Sequence, residues 1–462
     1  MQNVYDEVLT LDKRCYEEFL LSEDILMEHA ANHLAQTIRS LAGAKNKKLF
    51  FLCGPGNNGG DGIACARILH KEYDVSIYLP YGVKSKMARL QKKRYELVGG
   101  VIAEDIDDSD IYIDALFGSG LSKKLDKRAC EIIRFINEKK RIKVSCDIPS
   151  GIGENFISDE VFRADVSVSM GALKLPLFED FAKDFVGKIE VANLGVAREI
   201  YENSSDIYLL DVGDMKLPYR TKSNTNKGTF GHTCVVQGSK EGAAILSATA
   251  ALNFGSGLVT VINDKKSDIP PYIMHSDKIA KNCTSLVAGM GFGESNFDLK
   301  LLFRDEYSLV IDADIFYNPV VSKLLKERKN IVLTPHPKEF ASLLKITKIA
   351  EVDAKEIQSN RFKFVKLFAQ KFPKATLILK GANTIITQNE KIYISTLGTS
   401  ILSKGGSGDV LSGMIGSLLA QGYETKDAAI TAVLAHALAA KNVAYNDYAL
   451  NPIDICEEIK CL

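Results

Sequence analysis

The chain has no excess of charge of either sign: 58 Lys and Arg residues balance 58 Asp and Glu. A protein without a global field is not drawn by its net charge to nucleic acid or to an acidic membrane, so neither partner is expected. No two of its nine cysteines stand in C-x-x-C spacing. They are scattered, several in apolar strand-like surroundings, and read as buried thiols of a reducing compartment. The first ten residues contain acids and no apolar h-region, which argues against a secretory signal. Long hydrophobic runs are missing too: the most apolar segment, 428–440, is too short to span a bilayer and contains His436. These absences lead to the expectation of a cytoplasmic protein. There is also no internal repeat and no long polar linker, which leaves a chain of distinct folded domains.

What is present is ordinary in bulk and specific in detail. With 462 residues, 46% hydrophobic and 25% charged, the chain can build two or three cored domains. Residues 11–41 repeat apolar positions at helical spacing, and Ser22 stands as a cap before Glu23 and Asp24. A buried strand, 48–53, then runs into Gly54-Pro55-Gly56-Asn57-Asn58-Gly59-Gly60-Asp61-Gly62, followed by a helix through Leu69. Strand, glycine loop and helix form the phosphate-binding start of a doubly wound sheet. The spacing is not the dinucleotide fingerprint, because Asn57, Asn58 and Asp61 interrupt it; two amides and a carboxylate suggest polar contacts to a ligand.

The βα rhythm continues with strands at 75–79, 111–114 and 142–146, and helices at 86–98 and 127–138. Strands at 166–168 and 189–191 follow. Three of the strands end in polar loops: Asn57 to Asp61, Asp114-Ala-Leu-Phe-Gly118-Ser119-Gly120, and Asp147-Ile-Pro-Ser150-Gly151. In an open α/β sheet those ends share one edge, so Asn58, Asp61, Asp114, Gly118, Asp147 and Ser150 are expected to converge on one crevice. Taken singly, Asp114 and Asp147 could each be a strand-end turn former. The rhythm breaks over 199–223, and the domains are placed at 1–205 and 215–462.

The second half carries different motifs. A small-residue helix at 242–255 follows the strand 233–236, and Gly289-Met290-Gly291-Phe292-Gly293 follows another strand. The strand 309–314 ends in two acids, Asp312 and Asp314, and Thr334-Pro335-His336-Pro337-Lys338-Glu339 follows the strand 331–333. A His between prolines is held stiffly, which suits ligand contact, although a lone His is more often structural. A helix over 355–372 shows an apolar stripe of core type, Ile357, Phe364, Phe368 and Phe372. Lys380-Gly381-Ala382-Asn383-Thr384 comes next, then Gly405-Gly406-Ser407-Gly408-Asp409 opening a helix. Backbone amides of a glycine loop and a helix N-terminus favour an anion. A carboxylate placed there is repelled unless it takes a proton from a hydroxyl; otherwise Asp409 is simply a helix cap.

Residues near 10–200 resemble the NAD(P)H-hydrate epimerase domain through the Gly54–Asp61, Asp114–Gly120 and Asp147–Gly151 motifs. Residues near 215–462 resemble the ADP-dependent NAD(P)H-hydrate dehydratase, a ribokinase-like fold. The motifs Gly289–Gly293, Thr334–Glu339, Lys380–Thr384 and Gly405–Asp409 carry that likeness. The resemblance implies an α/β chain: an N-terminal Rossmann-like doubly wound domain and a C-terminal ribokinase-like domain. Hydrated NADH and NADPH occur as two epimers at C6. The first domain would interconvert R and S, and the second would dehydrate S while splitting ADP to AMP and phosphate.

The resemblance also implies roles residue by residue. Asn57, Asn58, Gly59, Gly60 and Asp61, with Gly118, Ser119, Gly120, Leu121, Ser122, Lys123 and Lys124, match loops holding the hydrated cofactor. Asp147 matches the acid/base residue, and Asn58, Asp114 and Ser150 match potassium ligands. In the second domain Lys380, Gly381, Ala382, Asn383, Thr384 and Gly408 match the ADP/AMP site, where magnesium would accompany the nucleotide. Ala244, Gly291 or Gly293, His336 and Asp409 match contacts to the hydrated cofactor; Met290, where the family usually has Pro, leaves the two glycines undecided. By kinase logic Asp409 takes the C6 hydroxyl proton while the loop amides stabilise the β-phosphoryl oxygens. The expected partners are the small molecules NADHX, NADPHX and ADP, with the chain as a homo-oligomer. A ribokinase-class vitamin-precursor kinase with an accessory N-terminal domain fits Gly405–Asp409 equally well, but such kinases lack the Asn57-Asn58 loop. A non-catalytic binding scaffold, as in RNA-processing proteins, is disfavoured by Asp114, Asp147 and Asp409.

Overall fold

The computed structural model describes residues 1–44, 46–264, 268–443 and 446–462. The chain divides into two compact units, Asn3–Ser205 and a second formed by Asp206–Leu462 with Met1–Gln2.

The first unit is built on a parallel sheet of β1 (Lys48–Cys53), β2 (Asp74–Tyr78), β3 (Val101–Ala103), β4 (Ile111–Ala115), β5 (Ile142–Cys146), β6 (Val166–Met170) and β7 (Lys188–Ala192). Their order is β3-β2-β1-β4-β5-β6-β7, with the strand order reversing beside β1. That is the doubly wound, Rossmann-like arrangement, whose ligand crevice opens at the C-terminal strand ends next to the reversal. Side-chain alternation on β1 shows why both faces are covered. Leu49, Phe51 and Cys53 pack with α1 (Leu9–Glu17), α2 (Glu23–Ala42) and α3 (Asn57–Leu69). Phe50 and Leu52 pack with Ile132, Ile133 and Ile136 of α5 (Lys127–Glu138) on the other face, while α4 (Lys86–Leu97) follows β2. Such strands, apolar on both sides, need helices on both sides.

Two helical expectations are corrected here. The 11–41 pattern is two helices, with Leu20 between them at φ +56° and Ser22 capping α2 through a hydrogen bond from Ile25 N at 3.4 Å. Asn57, Asn58, Gly59 and Gly60 are not loop: α3 starts at Asn57, so they form its first turn. Their glycines serve close packing. A Cβ on Gly59 would stand 1.9 Å from the Gly54 carbonyl oxygen, and one on Gly62 2.4 Å from the Ala115 Cβ.

The second unit contains β8 (Ile207–Leu209), β9 (His232–Val236), β10 (Leu258–Ile262), β11 (Met274–Ser276), β12 (Ser285–Ala288), β13 (Ser308–Ile311), β14 (Ile331–Leu333), β15 (Thr376–Leu379), β16 (Thr384–Gln388) and β17 (Lys391–Ser395). They lie in the order β11-β10-β9-β12-β13-β14-β15-β16-β17-β8. The run β11 to β15 is parallel, and β16 and β17 extend it antiparallel. Residues 206–214, left between the expected domains, therefore belong to this unit, because β8 pairs with β17.

Val235, Val287, Val310 and Val332 face α6 (Glu241–Asn253), α9 (Ser407–Ala420) and α10 (Thr425–Asn442) in one apolar core. The opposite face is covered by α7 (Pro337–Ile346) and α8 (Arg361–Lys371), whose Phe340 and Phe368 rings meet edge to face at 6.0 Å. This is an α/β fold, a mostly parallel sheet with helices on both faces. The expected 355–372 helix is broken at Asn360, φ −143° and ψ +42°, where the chain turns so that Arg361 is buried. The expected stripe is core: Ile357, Phe364, Phe368 and Phe372 are all buried. Among the described residues no helix is long and apolar enough to cross a membrane.

Candidate active sites

In the first unit a cleft of about 520 Å³ opens at the C-terminal ends of β1, β4 and β5. Asn57, Asn58, Asp61, Gly118, Ser119, Gly120, Leu121 and Asp147 line it. Three strand-end loops thus meet where the sheet order reverses. Asp114 and Ser150 are fully buried and bonded to each other: Ser150 Oγ donates to Asp114 Oδ1 and Ser150 N to Oδ2, each at 2.7 Å. Ser122, Lys123 and Lys124 are not brought into the cleft; they are exposed, and Lys124 pairs with Asp159 at 3.3 Å.

Asp147 is the most constrained group there. Its backbone is left-handed at φ +75°, a strain of about 1–3 kcal/mol that surrounding bonds must hold in place. Oδ2 accepts from Ser119 N at 2.9 Å, while Oδ1 accepts from Met170 N at 3.2 Å and from the buried Lys174 ammonium. Burial alone would raise this carboxyl, but Lys174 and the two backbone donors outweigh it and hold Asp147 below the usual range. Asp61, in the same cleft, behaves oppositely. Burial pushes it well above the usual range, with Asp147, Asp12 and Glu23 adding to the push and Lys174 opposing it. One cleft therefore holds two carboxyl groups whose proton affinities are pushed in opposite directions, Asp147 down and Asp61 up. Lys174 carries no motif, yet a lysine inside the apolar run Leu173-Lys174-Leu175 signals a buried partner.

The residues matched to potassium fit a monovalent cation. Among the described residues neither of the buried amide atoms of Asn58 has a hydrogen-bond partner. Gly118 leaves the space open, since a Cβ there would lie 3.0 Å from Asn58 Oδ1. Burial pushes Asp114 up to about 6, against the donors Ser150 and Leu116, so a nearby positive charge would relieve it. Asp6, Glu7, Asp12, Glu23 and Glu154 surround the cleft, and Lys174 is the one cation among its lining residues. Hard oxygen donors of this kind suit such an ion. Among the described residues no group of three or more His, Cys, Asp or Glu side chains is placed to hold a metal.

In the second unit the site is a buried charge cluster under the N-terminus of α9. Gly406 caps that helix at φ +94°. Ser407 N and Val410 N bond back to Lys404 and Gly406 carbonyls, at 3.3 and 3.1 Å, and the Gly408 and Asp409 amides follow as unpaired first-turn donors. Directly beneath, Lys380 Nζ lies 3.0 Å from Asp312 Oδ1 and 3.9 Å from Glu339 Oε2. A Cβ on Gly408 would stand 3.3 Å from that ammonium. Ser412 Oγ donates to Asp312 Oδ2 at 2.7 Å. Burial pushes Asp409 up to about 7, with Asp312 adding and Lys380 opposing. Glu339 is likewise pushed up to about 7, first by burial.

Two further groups hold the loops. The buried Arg361 guanidinium donates to the carbonyls of Asn383 at 2.6 Å, Leu379 at 3.0 Å and Lys380 at 3.3 Å, fixing the Lys380–Thr384 turn. The loop after β12 lies along the start of α6: Lys240 N donates to Gly291 O at 3.1 Å, and Gly293 N to Asp314 Oδ2 at 2.9 Å. Both candidate glycines adjoin the segment before α6, Gly291 against Lys240 and Gly293 against Ser239, each with positive φ. Ala244 is fully buried and packs in the core. His336 caps α7: Nδ1 accepts from Lys338 N and Glu339 N, so it carries no proton, and Nε2 faces Glu339 Oε1 at 3.1 Å. Burial and then Lys380 lower its pKa, so the ring is neutral. In the sequence Asp312 is only a strand-end acid and Glu339 only the end of a motif. Their role as partners of Lys380 needs three separate loops to meet.

Fold and sites together define a two-unit α/β enzyme that handles phosphorylated ligands. The family described as NAD(P)H-hydrate dehydratase matches residues 233–461, and YjeF-related protein N-terminus matches 23–175. The chain is 40% identical to the bifunctional NAD(P)H-hydrate repair enzyme of Helicobacter pylori over the whole of both chains. It is 30% identical to that of Dictyoglomus turgidum, over 93% of this chain and 91% of the relative. The chain belongs to the bifunctional NAD(P)H-hydrate repair enzyme family. Among solved structures, the ADP/ATP-dependent NAD(P)H-hydrate dehydratase of Bacillus subtilis, co-crystallised with ATP and Mg²⁺, is 23% identical; the match covers 53% of this chain and 92% of that one at a TM-score of 0.44.

Proposed function

We propose that this chain repairs hydrated NADH and NADPH. Its first unit interconverts the R and S epimers at C6. Its second unit dehydrates the S form with ADP, releasing the reduced dinucleotide, AMP and phosphate. The observation that carries this reading is full-length likeness to the repair family, with Asp147 beside Lys174 in the first unit and Asp409, its proton affinity raised by burial, at the head of the α9 helix in the second.

In the first unit Asp147, held as a carboxylate by Lys174, is the base toward the C6 hydroxyl. Asp61 lines the same cleft, and the rise in its proton affinity on burial lessens its repulsion of the substrate pyrophosphate. Asn58, Asp114 and Ser150 would hold potassium, whose charge offsets the acidic cleft against that dianion.

In the second unit Asp409 removes the C6 hydroxyl proton. The hydroxyl oxygen bonds to the β-phosphorus as the bond to the α-phosphate oxygen breaks, releasing AMP. The Gly408 amide and Lys380 face the phosphoryl oxygens. The ring nitrogen then expels phosphate, and loss of a C5 proton restores the dihydropyridine. The Lys380–Thr384 turn holds the nucleotide. Magnesium, which needs only one or two protein carboxylates beside nucleotide phosphates, would be held by Asp312 and Glu339 next to Lys380.

The deciding assay mixes the purified protein with chemically hydrated NADH and ADP and follows the return of reduced-nicotinamide absorbance. No return with ADP or ATP sinks the dehydratase assignment. Asp147→Asn is expected to leave the S fraction recovering at the wild-type rate and to slow only the R fraction. Equal slowing of both refutes the division of labour between the units. The pH dependence has a definite sign. With Asp409 pushed up to about 7, the fraction in the base form shrinks as pH falls, so kcat/KM for dehydration declines below pH 7 and levels above it. A flat profile from about pH 5.5 to 8.5 would remove Asp409 as the base.

A further inference from the structure

The second unit has a groove that the chemistry at Asp409 does not use. It has a volume of about 420 Å³ and lies where β9, β10 and β11 end, among Gln237, Asn263, Asp277, Lys278, Phe297 and Arg304. Resting on the functional reading above, we infer that this groove takes the adenosine half of the hydrated dinucleotide and distinguishes NADPHX from NADHX.

The sheet order makes the case. The nucleotide turn Lys380–Thr384 follows β15, Asp312 follows β13, and the Gly289–Gly293 loop follows β12. Along the edge these lie in the order β10, β9, β12, β13, β14, β15. ADP and substrate therefore approach Asp409 from opposite directions, and the groove is on the substrate side. From β13 to β10 is three strand spacings, roughly 14 Å, the scale of an extended dinucleotide. Continuity is physical as well. The Phe297 ring meets Phe292, between the two candidate glycines, edge to face at 6.5 Å, and Ser239 N bonds Phe292 O at 3.2 Å. Phe297 is only half-buried and offers a face for a purine.

The charges in the groove are of both signs and are not spent on one another. Among the described residues neither Lys278 nor Arg304 makes an ion pair, and the Asp277 side chain makes no hydrogen bond. Asp298, by contrast, is used: its Oδ1 accepts from Lys300 N at 3.0 Å. A carboxylate suits a ribose diol, and two cations suit a 2′-phosphate. Asp277 therefore serves NADHX, and Lys278 with Arg304 serves NADPHX.

The test uses the full chain with saturating ADP and S epimers of each hydrate. The double variant K278A/R304A is expected to raise KM for NADPHX about ten- to hundredfold, the loss of charge-assisted hydrogen bonds, and to change KM for NADHX far less. Asp277→Ala is expected to do the reverse. Unmoved KM values for both hydrates, an equal rise for both, or a rise in KM for ADP instead each overturns the assignment. All three positions are exposed, and thermal melts like those of the parent chain confirm that the variants fold. Absence of dehydration by the parent chain would defeat the functional reading itself, whereas normal dehydration with unmoved KM values defeats the groove alone.

Discussion

Asp409→Asn is expected to lower the dehydration rate by about 10²–10⁴, the range for loss of a general base, while ADP still binds. The substitution keeps size and removes only the ability to take a proton. The Gly408 amide, Lys380 and the turn held by Arg361 all remain, so nucleotide affinity, measured by calorimetry, stays close to that of the parent chain. Epimerisation is expected to continue, because Asp147 is in a different unit. Rapid mixing of the R epimer with the variant, followed by chromatographic separation of R from S, reads this directly. Dehydration within tenfold of the parent rate would remove Asp409 as the base.

Lys174→Met is the second large effect, and it acts on stability as well as chemistry. Lys174 and Asp147 are both buried, with side-chain exposures of 3% and 6%. Removing one member of such a pair strands the other charge and costs about 3–5 kcal/mol. Removing both leaves a shape close to the original without an unpaired charge, so K174M/D147N is expected to regain most of the loss. Without the ammonium, Asp147 also keeps only backbone donors, and its pKa rises because burial now dominates. Epimerisation by K174M is then expected to need a higher pH than the parent. Denaturant titration followed through the first unit's transition measures the stability, and the pH profile of epimerisation separates positioning from simple unfolding. If K174M melts like the parent and its pH profile does not move, Lys174 does not hold Asp147.

How much of this was legible in the sequence follows from which interactions are local. Strands apolar on both faces, such as Leu49 to Cys53, dictate a parallel sheet with helices on each side, and the structure has it. Ser22 as a cap is a four-residue matter, and it is one. The break at Asn360 was hidden because 355–372 has good helical periodicity. It forms because a buried Arg361 gains three carbonyl partners from residues up to 22 positions away. His336 illustrates the same limit. Between two prolines it suggests a ligand contact, while the fold spends Nδ1 on capping α7 and turns Nε2 to Glu339. The glycines of α3 suggest a loop in the sequence, because they stand between a strand and a helix in a phosphate-loop pattern. Their place is decided by the Gly54 carbonyl and Ala115 pressed against them.

The sequence by itself determined the α/β class and the places where strands end in polar loops, because residue type and period along one chain suffice for those. Only the tertiary structure decided which charges meet. Lys380 sits between Asp312 and Glu339, and Lys174 reaches Asp147, because those loops come together at one sheet edge. Burial then sets the protonation. It leaves Asp147 charged because a lysine is within reach, pushes Asp61 well above its usual range, and pushes Asp409 up to about 7. Proton affinity depends on neighbours far away in the chain and on the loss of water, and neither is written in local spacing.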